Sequence, residues 1–97
     1  PQASARDRDL NTQVLTIMID RDGRFFVGSD EVMGEGIEAL KQTIARNAGD
    51  DRDRPVTIRA DAMTPNQNVV TAMDALGQLG FTRLSIATTP TKPGAAQ

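Results

Sequence analysis

Residues 34–39, Gly34-Glu35-Gly36-Ile37-Glu38-Ala39, match G-x-G-x-x-A at the point where a helical repeat begins. Glycines in that spacing free backbone amides to cradle a pyrophosphate at a helix N-terminus. Asp61 stands downstream at a strand end, where an acid can meet a ribose hydroxyl. Two features oppose a nucleotide. Glu35 and Glu38 would set negative charge beside the phosphates, and the chain has too few strand–helix units for a dinucleotide fold. The pattern is read as the glycines of a helix entry, with a small nucleotide-binding module as the remote alternative.

Asp61 also follows Arg59-Ala60, and a carboxylate can serve acid–base chemistry. No second polar group of suitable type is placed beside it, so its plain role is to accept backbone amides in the turn before Thr64. Asp50, Asp51 and Asp53 lack calcium-loop spacing, because Arg52 and Arg54 are interposed and no later bidentate Glu follows. The 97 residues include neither His nor Cys. Thiol nucleophiles, thiolate metal sites, histidine triads and the usual zinc sites are thereby removed. No catalytic residue, cofactor or metal is expected, and the chain is not read as an enzyme.

Charge excludes another class. The net charge is −2, and arginines alternate with aspartates in Arg6-Asp7-Arg8-Asp9 and in Asp50–Arg54. Nucleic acid needs a clustered basic surface, which this pattern does not supply. No run approaches the roughly 20 apolar residues of a membrane helix, and no signal peptide is visible. The chain starts at Pro1 rather than Met, so an upstream segment is expected to have been removed.

The elements that position these residues follow from periodicity. Val14–Ile19 reads as a strand with Leu15, Ile17 and Ile19 inward, and Asp22-Gly23 signals a hairpin into Phe25–Val27. Gly28-Ser29-Asp30 marks a second turn before Glu31-Val32-Met33, a short strand or the approach to a helix. That helix is expected from Gly34 or Glu35 to Asn47, with Met33, Ile37, Leu40, Ile44 and Ala48 on one face. Val56, Ile58 and Ala60 alternate with Thr57, Arg59 and Asp61 as a third strand. Thr64-Pro65-Asn66-Gln67 predicts a Thr cap, Pro at the first helical position and a capping-box Gln. Val69, Met73 and Leu76 continue the helix, Gly80 ends it, and Leu84 and Ile86 resume a strand.

The order is strand, strand, helix, strand, helix, strand. An α+β two-layer sandwich results, a mixed sheet with two helices on one face, since each helix has a single apolar stripe. One domain fits the length. Residues 1–12 read as a flexible linker, 13–89 as the domain and 90–97 as a disordered tail. If the last strand or Val14–Ile19 lies at the sheet edge, it can accept a partner strand. Arg83, Ser85 and Thr88, with Arg59 and Asp61 on the third strand, are the candidate partner-binding residues.

Taken together, VLTIMIDRDGRFFVGSDEV, the helix GIEALKQTI and VTIRADAMTPNQNVVTAMDALGQLGFTRLSIAT resemble the periplasmic domain of the ExbD/TolR family over about Gln13 to Thr88. The last piece is the most specific: strand, R-A-D, a short turn, V-V-x-x-M-D-x-L-x-x-x-G-F, strand. An aromatic common in that family before the second helix is absent here, where Thr64-Pro65-Asn66-Gln67 stands. The resemblance implies a non-enzymatic inner-membrane subunit with one membrane helix upstream of Pro1. It implies pairing as a homodimer inside an ExbB- or TolQ-like channel, with use of the proton motive force. It also implies periplasmic contact with a TonB- or TolA-like protein or, in the TolR-like branch, with peptidoglycan. Gly28-Ser29-Asp30-Glu31-Val32 leans toward ExbD, and Ile86-Ala87-Thr88-Thr89-Pro90 toward TolR; ExbD is slightly favoured.

Overall fold

The computed structural model describes residues 14–90. The expected linker over 1–12 and the tail beyond Pro90 lie outside the described residues. In chain order the elements are β1 (Leu15–Ile19), β2 (Phe25–Val27), β3 (Asp30–Glu31), α1 (Gly36–Ala48), β4 (Val56–Asp61), α2 (Asn66–Leu79) and β5 (Leu84–Thr89). They build one five-stranded mixed sheet in the order β3-β2-β1-β4-β5. β1 pairs antiparallel with β2 and parallel with β4, and β4 pairs parallel with β5. The α+β class and the alternation of strands and helices agree with the sequence reading. The short strand offered as an alternative at Glu31–Met33 forms one residue earlier, where the Gly28-Ser29 turn folds Asp30–Glu31 back onto Phe26 and Val27.

Period-2 alternation decides which face is covered. Leu15, Ile17 and Ile19 of β1 and Val56, Ile58 and Ala60 of β4 point to one side and are buried. They meet Leu40, Ile44 and Ala48 of α1 and Ala72, Ala75 and Leu76 of α2 in a single apolar cluster. Each large aliphatic chain enclosed there contributes roughly 1.5–3 kcal/mol. The opposite face of the sheet carries Met18 and Arg59, both exposed. Lys41 Nζ donates to Gln78 Oε1 at 2.9 Å and joins the helices laterally.

Three local expectations are corrected. α1 starts at Gly36, with Glu35 as its extended N-cap residue, and Met33 lies outside it with 77% exposure. Met33 shares the helical spacing only by coincidence, since the chain has not yet turned at Gly34. Pro65, not Thr64, is the N-cap residue of α2, and no side chain caps it. The Thr64 hydroxyl instead donates toward the carbonyls of Ile19 and Asp20 at 3.2 and 2.9 Å, tying the helix entry to the end of β1. Met73, expected to continue the apolar face of α2, stands 41% exposed, and Val70 beside it 46%.

Candidate partner-binding edge

Sheet order places β1 in the middle and β5 at the edge, which settles which strand has a free side. β5 runs Leu84-Ser85-Ile86-Ala87-Thr88-Thr89. It holds no charge and no proline, and Pro90 follows only after its end. Charged side chains and prolines are what commonly blunt a free edge, so β5 presents its unpaired backbone groups without a guard.

Register gives β5 two different faces. Leu84, Ile86 and Thr88 lie opposite Val56, Ile58 and Ala60, so they point toward the helix layer. Ser85 and Ala87 lie opposite Thr57 and Arg59 on the open face. Yet Ile86 is 51% exposed, although Ile58 beside it is fully buried. α2 packs over β1 and β4, and of the inner face of β5 only Leu84, half-buried against the core, is well covered. Met73 lies about a quarter-turn round α2 from buried Ala72, whereas Val70 and Gly77 lie further toward solvent. Gln78 and its bond to Lys41 mark the opposite flank, next to α1. Met73 on α2 and Ile86 on the inner face of β5 are both exposed apolar side chains. Asp74 is the only charged residue on all of α2.

The five candidate residues do not form one cluster. Arg59 and Ser85 share the open face, and the Ser85 hydroxyl lies 3.1 Å from that of Thr57. Thr88 points the other way and is exposed. Asp61, half-buried at the end of β4, accepts the Met63 amide at 2.8 Å, the turn role its position suggested. Arg83 precedes β5 and donates to the Asp53 carbonyl at 3.3 Å, holding the loop before β4. The side-chain reading did not include Val70, Met73 or Ile86, the exposed apolar residues on α2 and β5. Their signal was available as an uncharged last strand beside a helix with one charge, but it does not identify an edge until the strand order is known.

At the carboxyl end of β1 the hairpin, the α1 entry and the first turns of α2 enclose a cleft of about 410 Å³. Gly34 and Gly36 of the G-x-G-x-x-A pattern line it with φ of 98° and 87°. Glu35, Phe25, Val32, Asn68 and Thr71 complete its walls with the hairpin residues Gly23 and Arg24. Asp20 organises the hairpin, accepting the Asp22 and Arg24 amides and the Arg24 guanidinium at 2.8–2.9 Å. Burial pushes the Asp20 carboxyl up, but these hydrogen bonds and the Arg24 charge together bring it below its ordinary value. The bonded carboxylate in turn raises the Arg24 guanidinium above its own.

No group of three or more acidic residues among those described is arranged to hold a metal ion. No described helix is long and apolar enough to cross a membrane. Compared with known proteins, residues 1–91 match the family model described as Biopolymer transport protein ExbD/TolR. A search of curated proteins finds none that matches.

Proposed function

The chain belongs to the ExbD/TolR family of biopolymer transport proteins, and from that premise we propose that it is the periplasmic domain of an inner-membrane energy-transduction subunit. Its membrane helix lies upstream of Pro1 and works within an ExbB- or TolQ-like channel driven by the proton motive force. The domain is a mechanical adaptor, paired as a homodimer in the membrane, and takes up an extended segment of a TonB-like protein. ExbD-type action in energised outer-membrane transport is preferred to the TolR type.

One observation carries the contact: a six-residue edge strand without charge or proline, with Ile86 half-exposed on its inner face. Main-chain pairing supplies affinity in such a complex, and alternate side chains of the incoming strand supply selection. Residues of that strand on the helix side would cover Ile86 and Met73; those on the other side would join Ser85 and Ala87. Nothing in this function needs a catalytic side chain.

The test is a titration of the isotope-labelled chain with peptides spanning the periplasmic region of the cognate TonB-like protein, followed by NMR. The expected response is concentrated on Leu84–Thr88. A response confined to other strands, or binding only to purified cell-wall sacculi, overturns strand addition and favours the TolR-type anchor.

A further inference from the structure

The cleft beside the G-x-G-x-x-A loop shares no residue with β5, and the adaptor function makes no use of it. Its chemistry is uneven. Phe25 and Val32 form a half-buried apolar floor. Asn68 donates its amide NH2 to the Gly23 carbonyl at 3.1 Å, which leaves its oxygen to accept. Thr71 likewise donates its hydroxyl, to the Gln67 carbonyl at 3.0 Å, and keeps lone pairs for a donor.

Charge on the walls has one sign to spare. The guanidinium of Arg24 is engaged by Asp20 at 2.8 Å and lies 3.9 Å from Asp22, with Glu31 also acting on it. Glu35 makes no ion pair with any described residue and stands exposed at the rim. The positive end of α1 is already answered by Glu35 at its N-cap and Glu38 in its first turn. An anion in the cleft would meet the Glu35 carboxylate, while Glu38 lies outside it and pairs with Lys41 at 3.5 Å. A cation on an apolar stem would meet acceptors above an aromatic and aliphatic floor.

We propose that this cleft receives a lysine or arginine side chain carried by an extended segment of a partner protein. The stem lies along Phe25 and Val32, and the charged head reaches Glu35, Asn68 and Thr71. The rim is open at Gly36, where no atom lies within 4 Å of a Cβ position, and at Gly34 a Cβ would stand 3.4 Å from the Ala39 Cβ. The site is a second contact, separate from strand addition at β5, so either can fail while the other stands.

The experiment titrates the full chain, 15N-labelled, with three blocked tripeptides: Ala-Lys-Ala, the same peptide acetylated on lysine, and Ala-Glu-Ala. The lysine peptide is expected to shift the amides of Gly34, Gly36, Asn68 and Thr71, and the other two to leave them in place. Glu35→Gln is expected to weaken that binding about threefold, the effect of one exposed ion pair, with the remaining spectrum unchanged. Equal response to the acetylated peptide, preference for the glutamate peptide, or no response at the cleft overturns the proposal. Shifts confined to Leu84–Thr88 would also overturn it, while leaving the β5 reading intact.

Discussion

Asp20 shows how one side chain fixes a turn. Its two oxygens take two amides and a guanidinium, closing the hairpin between β1 and β2 around Asp22-Gly23. Because the folded carboxyl titrates below its unfolded value near 3.9, its stabilisation is present above that value and is lost as pH falls through the folded one. Asp20→Asn is therefore expected to lower stability at neutral pH by about 0.5 kcal/mol, a small figure because the pair is screened by solvent. Urea midpoints of variant and parent should converge at pH values below that at which the folded carboxyl titrates. A constant gap across pH would place the effect in turn geometry rather than charge. The Asp-Gly turn itself was legible in sequence. Thr64 was not, because a hydroxyl ahead of Pro65 reads equally as a cap or as a tie to a distant carbonyl. Only the proximity of β1 decides between them.

Elements show where periodicity succeeds and where it stops. Strand alternation identified Leu15, Ile17 and Ile19 and Val56, Ile58 and Ala60 as inward because those strands are central and one face is covered. The same alternation in β5 does not make Ile86 buried, since period describes which face a residue takes and not what lies over it. For the same reason Val70 and Met73 belong to an apolar stripe wider than the surface α2 covers. The end of α2 is more local and was readable. Gly80 adopts φ 98°, and the amides of Gly80 and Phe81 return to the last carbonyls of the helix. A Cβ at Gly80 would approach Arg52 Cγ at 3.9 Å, an ordinary contact, so the cost of a side chain there is conformational. Gly80→Val is expected to destabilise by more than about 1 kcal/mol, read from the denaturant midpoint. Arg52 reinforces the same end. Its Nε donates to the Leu79 carbonyl at 2.8 Å, its Nη1 to Gly49, and its guanidinium lies 5.0 Å from the Phe81 ring centroid. One arginine thus joins the C-terminal ends of both helices. Arg52→Ala should cost about 1–2 kcal/mol, and Arg52→Lys should recover little of it, because lysine lacks the planar fork. Full recovery by lysine in thermal melts would mean that the charge alone matters.

Across the whole molecule the two sheet edges are treated differently. β3 is two residues long and both are acidic, Asp30 and Glu31, so that edge is short and charged. β5 is six residues long and uncharged, and on its inner face Leu84 packs against the core while Ile86 stands half-exposed. A small domain with one guarded and one open edge has a direction in which it can be extended, which is what an adaptor requires. The family was legible because the order and spacing of all the elements could be read together. Which edge stands open was not, because that depends on strand order, and backbone pairing leaves no side-chain signature. The asymmetry makes a separable prediction. Ile86→Lys puts a charge on the open edge at a half-exposed position, so the isolated domain should change in stability by no more than about 0.5–1 kcal/mol. In the membrane-anchored form proposed above, the same change should abolish cross-linking between β5 and the proposed TonB-like partner. Glu31→Lys, on the guarded edge, should leave both readouts near those of the parent. If Ile86→Lys melts normally and still cross-links at β5, the free strand is not the route by which this domain meets its partner.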